Sequence, residues 1–185
     1  ILIVEDVPDN LELARKILTS RGYEVIFAMN AETGYQLALE HHPDLMLLDL
    51  AMPGVRGFSG LMYMRAQYPG VPEIVVSAND DPAAIRRCME FGASGFIPKT
   101  LGVEAMRTAI SRVLGGDVCT PPDVDLAGGG RPDRELLEEE MENLENLLET
   151  PRRAAVYGHF ANRFLTQPDE QLGGAVHVGG LGVAG

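Results

Sequence analysis

Short apolar runs alternate with helical patterns along roughly the first two thirds of the chain. Most of these runs hold four or five consecutive apolar residues with β-branched members, which is typical of strands covered on both faces of a sheet. They predict strands at residues 1–4, 24–28, 45–48, 73–77 and 95–97. Strands of this kind in an alternating β/α chain lie parallel, so their carboxyl ends meet at one edge.

Helices are predicted between these strands, where apolar residues recur at helical spacing and glycine or proline follows. Asp81 followed by Pro82 is a typical helix start, and Gly22 stands just past the end of the first helix. The predicted helices run from about residue 8 to before 22, through 35–39 to before 43, and over 58–68, 81–91 and 103–114. These β/α units with short connections predict one doubly wound α/β sheet.

The pattern changes after about residue 118. Proline pairs and a glycine triplet predict a linker, and a later stripe of apolar residues at spacings of four and three predicts an acidic amphipathic helix. The stripe consists of Leu137, Met141, Leu144 and Leu148. We expect a domain over 1–118, a Pro/Gly linker over 119–132, the acidic helix over 133–150 and an irregular or disordered tail over 151–185. The helix either pairs with a partner or packs back on the first domain, and its pattern leaves both open.

Composition narrows the range of partners and compartments. The formal net charge of −12 argues against nonspecific electrostatic binding to DNA or to anionic lipid. Cys88 and Cys119 have no paired spacing, so we expect two free thiols and a cytoplasmic protein. No apolar stretch reaches the roughly 18 residues of a membrane span, and no signal peptide precedes Ile1. The missing initiator methionine suggests that a short native segment precedes residue 1.

Candidate chemistry gathers at the carboxyl ends of the predicted strands. Glu5 and Asp6 follow the first strand, and Asp49 follows the third. Carboxylates brought to one edge repel one another unless a cation joins them, and a hard divalent ion with oxygen ligands is the natural partner. Ser77 and Lys99 end two further strands at the same edge. A metal, a nucleophilic carboxylate, a hydroxyl and an ammonium group together predict a site for phosphoryl transfer.

The segments that carry this chemistry are I-L-I-V-E-D, L-M-L-L-D-L-A-M-P-G, I-V-V-S-A and G-A-S-G-F-I-P-K. In their order and spacing, residues 1 to about 116 resemble the receiver domain of bacterial two-component response regulators. The resemblance implies a flavodoxin-like three-layer sandwich with parallel sheet order 2-1-3-4-5. The stretch that ends this region is most similar to receivers that precede a LuxR-type helix-turn-helix.

The resemblance also implies roles at the site. Asp49 would be the phosphoacceptor, and Asp6 a direct ligand of Mg²⁺. Glu5 would act through a bound water or as a further ligand, and the backbone carbonyl of Ala51 would complete the metal site. The chemistry of Asp49 agrees with the role of phosphoacceptor, because a carboxylate beside a metal can attack phosphorus and form an acyl phosphate.

Three side chains would respond to the phosphoryl group in such a receiver. Lys99 would pair with a phosphoryl oxygen. Ser77 would donate its hydroxyl and draw its loop inward, and Phe96 would swing toward the vacated space. The pair Ser77 and Phe96 is therefore the predicted conformational switch.

We therefore predict a response regulator that takes a phosphoryl group from a sensor histidine kinase or a phosphotransfer protein. It would then control a partner, or its own dimerisation, through the face formed by residues 81–114 or through the helix at 133–149. Arg86, Arg87 and Arg107 are the exposed positions expected on that face. Beyond phosphorylation of its own aspartate, no enzymatic activity is expected.

Two alternatives are considered. One is a DNA-binding transcription regulator whose helix-turn-helix is truncated or degenerate, since no recognisable helix-turn-helix follows the first domain. Residues 131–185 hold five arginines against ten acidic residues, so DNA binding is not predicted for this chain. The other is an aspartyl-phosphate phosphatase, but that class places its nucleophile after the first strand, whereas the acceptor here follows the third.

Overall fold

The computed structural model describes residues 1–52, 55, 57–124 and 134–147. Five strands and six helices lie in this part of the chain. The strands are β1 (Leu2–Val4), β2 (Ile26–Ala28), β3 (Met46–Leu48), β4 (Glu73–Ser77) and β5 (Gly95–Pro98). The helices are α1 (Pro8–Thr19), α2 (Ala31–His41), α3 (Ser59–Gln67), α4 (Pro82–Glu90), α5 (Val103–Leu114) and α6 (Arg134–Leu147).

The strands form one parallel sheet in the order β2-β1-β3-β4-β5, which confirms the predicted fold. Three predicted strands were too long at their amino ends. Leu45, for example, is completely buried and its carbonyl accepts from the N–H of Leu2, but β3 begins at Met46. Burial of an apolar residue therefore does not by itself place it within a strand.

Alternate residues of the strands feed two separate hydrophobic clusters. Leu2 and Val4 of β1 point to a cluster that holds buried residues of α2, α3 and α4, whereas Ile3 points to a cluster that holds those of α1 and α5. The period of two along a strand places successive side chains on opposite faces of the sheet. This is the three-layer sandwich expected from the sequence.

Local signals act as predicted at the start of α4. The side chain of Asp81 accepts a hydrogen bond from the N–H of Ala83 at 3.0 Å, and Pro82 occupies the first helical position. The cap satisfies one of the free N–H groups of the helix, while proline lacks an N–H that would need a partner. Asp81 thus caps α4 four residues after Ser77, the last residue of β4.

Helix α6 lies against α3. Leu137 and Met141 are buried, at 4% and 6% exposure, in the same cluster as the buried residues of α3. Of the two possibilities that the pattern left open, the structure shows the helix packed back on the first domain. The side chains of Leu144 and Leu148 and the predicted tail over 151–185 lie outside the described residues, and the division into four segments stays a prediction.

Candidate functional site

Three carboxylates meet at the edge formed by the carboxyl ends of the strands. Glu5 and Asp6 directly follow β1, and Asp49 directly follows β3, which is the neighbour of β1 in the sheet. Oxygens of the three groups lie within 4.8 Å of one another. Glu5 and Asp49 are buried, at 5% and 4% exposure. The structure thus brings together the acidic residues that the sequence placed at one edge.

Backbone and side-chain donors hold two of these carboxylates in place. Oε1 of Glu5 accepts from the N–H of Val7 at 3.2 Å and from the side-chain amide of Asn10 at 3.1 Å. Oδ1 of Asp49 accepts from the N–H of Ala51 at 3.1 Å. Each group keeps its second oxygen free of these bonds, turned toward a common cation.

That cation is Lys99, which follows β5 directly. Its Nζ lies 2.8 Å from Oδ2 of Asp49 and 2.8 Å from Oε2 of Glu5. Burial lowers the pKa of Lys99, but the hydrogen bonds to Asp49 and Glu5 and the attraction of their charges outweigh burial, so the pKa is raised. The backbone N–H of Lys99 donates to the carbonyl of Ser77 at 2.7 Å, which ties the lysine to the end of β4.

Asp6 carries the observation that tests whether a metal fits. Its Oδ1 is buried and has no hydrogen-bond partner among the described residues. Buried acceptors in native proteins almost always have a partner, so this oxygen is suited to a ligand that supplies one. Carboxylate oxygens are the donors that Mg²⁺ takes from proteins. The residues present therefore fit this ion, and Ala51, whose carbonyl was predicted as a further ligand, stands two residues after Asp49.

Ser77 and Phe96 occupy the positions predicted for a switch. Ser77 ends β4, is 5% exposed, and its Oγ accepts from the N–H of Asn79 at 3.1 Å. Phe96 is 2% exposed and lies in the core cluster with residues of α4, so in this structure its ring is inside. The pairing of β4 with β5 places Val75 beside Phe96 and Ser77 beside Pro98.

An apolar cavity of about 180 Å³ opens beside the carboxylates, between α1 and α5. Both Glu5 and Asp49 line it, together with apolar side chains from the two helices. Leu13, Leu101 and Val103 at this cavity are 57%, 45% and 47% exposed. The acidic cluster thus has an apolar border that is open to solvent.

The face expected to bind a partner is less open than predicted. Arg107 is exposed, but Arg86 and Arg87 on α4 are only partly so. Both arginines lie near Glu90, and Arg87 also lies near Glu140 of α6, whose charge attracts it. Helix α6 thus comes near this face at Arg87.

Two buried acidic residues were not singled out from the sequence. Glu73, the first residue of β4, is completely buried, and Glu140 of α6 is 3% exposed. A signal existed for each. Glu73 begins a run predicted to be covered on both faces, and Glu140 shares a helical face with Leu137 and Met141.

No helix in the described part of the chain combines the length and the apolar character that a membrane crossing requires.

Comparison with known proteins agrees with the geometry of the site. Residues 1–111 match the response regulator receiver domain family. The glycerol metabolism activator of Pseudomonas putida is 36% identical over 127 residues, which cover 67% of this chain and 58% of that protein. A cyclic di-GMP phosphodiesterase of Thermotoga maritima is 33% identical over 114 residues, which cover 62% of this chain and 30% of that protein. The chain therefore spans less than two thirds of the length of either relative.

Solved structures include the same fold. A LuxR-family two-component response regulator from Aurantimonas sp. SI85-9A1 superposes with a TM-score of 0.63 at 28% sequence identity. The superposition covers 68% of this chain and 93% of that one.

Proposed function

Because this chain belongs to the family of response regulator receiver domains, the phosphorylated modules of two-component signalling, we propose that Asp49 is its phosphoacceptor. The donor is a sensor histidine kinase or a phosphotransfer protein. An oxygen of Asp49 attacks phosphorus, a new P–O bond forms, and the P–N bond of the donor's phosphohistidine breaks, with its electrons returning to the imidazole. The product is an acyl phosphate on the receiver.

One observation carries this proposal: Nζ of Lys99 lies 2.8 Å from Oδ2 of Asp49 within the acidic cluster. The ammonium stands next to the atom that would receive the phosphoryl group, where it can pair with a phosphoryl oxygen after transfer. Glu5, Asp6, Asp49 and the carbonyl of Ala51 would hold Mg²⁺. The bound ion would neutralise charge on the transferred group.

We propose that Ser77 and Phe96 transmit the change. The hydroxyl of Ser77, which now accepts from Asn79, would donate to a phosphoryl oxygen and move toward Asp49. Phe96 is buried beside Val75, two residues before Ser77 on the same strand, so a displaced strand end would change the space available to its ring. The outcome is a different surface over residues 81–114, through which the protein would bind a partner or a second copy of itself.

The exposed apolar residues beside the site are suited to contact the protein that donates the phosphoryl group. Leu13, Leu101 and Val103 surround the cavity beside Asp49, so a partner that covers them would also exclude water from the acceptor. Cys88 and Cys119 are free thiols, which agrees with the reducing cytoplasm, where we place the protein.

The two alternatives are not favoured. Neither a DNA-reading module nor a hydrolase accounts for the receiver match over residues 1–111. The relative named a phosphodiesterase matches over only 30% of its own length. We propose that this chain modifies its own aspartate and turns over no other substrate, while transcription regulation remains a role that its target could serve.

Incubation with acetyl phosphate and Mg²⁺ tests the proposal. We expect intact-protein mass spectrometry to show one added phosphoryl group on the native chain and none on Asp49→Asn, because that variant has no nucleophilic carboxylate at position 49. Asp44→Asn, which changes an exposed aspartate just before the same strand, should label like the native chain. Equal labelling of Asp49→Asn and the native chain would rule out Asp49 as the acceptor.

A further inference from the structure

Helix α6 buries one face against the domain and exposes the other. Leu137, Glu140 and Met141 are 4%, 3% and 6% exposed, and their spacing of three and four places them on a single face. The exposed face is strongly acidic, with Glu135, Glu138, Glu139 and Glu142. A carboxylate in the middle of a buried face is costly unless it has a specific partner.

The partner of Glu140 is the start of α3. The backbone N–H of Phe58 donates to Oε2 of Glu140 at 2.9 Å across 82 residues of sequence. Gly57 lies beside the same carboxylate with φ +53°, and a Cβ at this position would collide with it. Burial and the charge of Glu139 raise the pKa of Glu140, while the Phe58 N–H, the side chain of Asn143 and the charge of Arg87 lower it in part.

Helix α3 lacks a cap of its own. Phe58, at the N-cap position, offers no side-chain hydrogen bond, and the first turn contains no acidic residue. A carboxylate at a helix N-terminus satisfies free N–H groups and interacts favourably with the helix dipole. Glu140 therefore supplies to α3, from a distant part of the chain, the cap that its own sequence omits.

The capped end of α3 is close to the phosphorylation site along the chain and in contact with α4. Phe58 follows Asp49 by nine positions, with the short connection between β3 and α3 in between. The ring of Phe58 packs on Phe91 at the end of α4, with centroids 5.4 Å apart. Docking of α6 thus acts at Phe58, where the connection that follows Asp49 enters α3 and where α3 contacts Phe91.

We propose that α6 is an internal clasp that is docked in the resting protein and released by phosphorylation of Asp49. This inference rests on the proposed function. In the structure α6 is docked while Lys99 bonds directly to Asp49. With Mg²⁺ present before and after transfer, an acyl phosphate of about two negative charges replaces a carboxylate of one, so about one negative charge is added. Added negative charge disfavours a buried Glu140 on an acidic helix, and so favours release.

Hydrogen exchange of the full chain tests the clasp. Amide exchange is followed in α6 and in the first turn of α3, at constant Mg²⁺, with and without acetyl phosphate. We expect phosphorylation to speed exchange of the buried face of α6 about tenfold, within the usual range of coupling between two sites. Glu140→Ala should exchange fast in α6 without acetyl phosphate. By the reciprocity of linkage, a larger fraction of this variant than of the native chain should carry the phosphoryl group at equilibrium.

Two further variants separate the cap from general effects of mutating α6. Glu142→Ala changes an exposed glutamate of the same helix and should behave as the native chain in both measurements. Glu140→Gln keeps an oxygen acceptor for Phe58 but no charge, so α6 should stay docked and its release by phosphorylation should be much smaller. A full release in Glu140→Gln would overturn the electrostatic cause proposed here.

The intact mass of the same samples distinguishes failure of the clasp from failure of the proposed function. If Asp49 becomes labelled while exchange in α6 and α3 stays unchanged, the clasp is wrong and the phosphoacceptor stands. If the native chain takes no label at all, the proposed function fails, and release by phosphorylation fails with it. If labelling slows exchange in α6, the sign of the coupling is opposite to the one proposed.

Discussion

Strand β4 begins at the buried residue Glu73 and ends at the buried residue Ser77. Buried acidic residues lie near both edges of the sheet, but their surroundings differ. At the carboxyl edge, beside Ser77, the carboxylates of Glu5 and Asp49 share one ammonium group at 2.8 Å from each. At the amino edge, Glu73 is completely buried, and neither of its oxygens has a hydrogen-bond partner among the described residues.

The two edges differ in how a buried carboxylate without a partner is avoided. Burial raises the pKa of Glu73 well above its ordinary value of 4.5, and the attraction of Arg65 opposes this only in part, so Glu73 favours its neutral form. The carboxyl edge instead surrounds its acids with Lys99, backbone N–H groups and an oxygen donor set that fits Mg²⁺. Burial of an acid alone therefore does not mark a functional site, whereas several acids gathered around a cation do.

Removal of the shared cation should lower the stability of the folded protein. In Lys99→Met, without Mg²⁺, Glu5 and Asp49 lose their common partner while remaining buried. We expect the free energy of unfolding to fall by about 2 kcal/mol, below the range for fully buried pairs because the ammonium is partly solvated. Urea denaturation in the presence of a chelator measures this.

The other lysine of the chain provides the control. Lys16 pairs with Glu12 on the surface, with its side chain 68% exposed. Lys16→Met should change the free energy of unfolding by no more than about 0.5 kcal/mol. Equal losses in the two variants would mean that the carboxyl edge derives no special stabilisation from Lys99.

The second prediction concerns the amino edge and its dependence on pH. The pKa of Glu73 is higher in the folded than in the unfolded protein, so the folded state binds more protons over the interval between the two values. The stability due to the neutral form is complete below pH 4.5 and is lost as pH rises through the folded pKa. Within this window Glu73 should contribute a decline of about 1.4 kcal/mol per pH unit.

Glu73→Gln keeps the shape of the neutral acid and cannot ionise. The difference in unfolding free energy between this variant and the native chain should therefore grow in favour of Gln as pH rises from 4.5 toward the folded pKa. Urea midpoints across that range measure it. Glu24→Gln, at an exposed position just before β2, should give a flat difference. A flat difference for Glu73→Gln would show that a partner absent from this structure stabilises its charge.

The fold and most of the site follow from position along the strands. Glu5, Asp49 and Lys99 each stand directly after a strand, and parallel strands bring such positions to one edge whatever the packing details. The sequence could not show that Lys99 bonds both acids in this structure, because side-chain pairing depends on distances across the sheet. The lysine was predicted to pair with a phosphoryl oxygen, a role that this arrangement leaves available.

The burial of Glu73 and Glu140 was not predicted from the sequence. Glu73 stands at the start of a strand, where a charge is common because strand ends reach solvent, and only the packing around it shows that it is covered. The apolar stripe of α6 indicates a buried face but not the surface that buries it. Its contact with α3 joins residues 82 positions apart. Both features depend on long-range packing, which local patterns do not encode.

The smallest expected effect is stabilisation by Mg²⁺, which should depend on the carboxyl edge of the sheet and not on the amino edge. A ligand that binds only the folded state stabilises it by an amount set by its concentration relative to Kd, about 0.8 kcal/mol at roughly three times Kd. Mg²⁺ should raise the melting temperature of the native chain and of Glu73→Gln alike, because Glu73 lies away from the ion. In Asp6→Asn the rise should be largely lost, since the unpartnered buried oxygen at this position becomes part of a neutral amide. An undiminished Mg²⁺ effect in Asp6→Asn would place the ion elsewhere and leave the carboxyl edge with Lys99 as its cation.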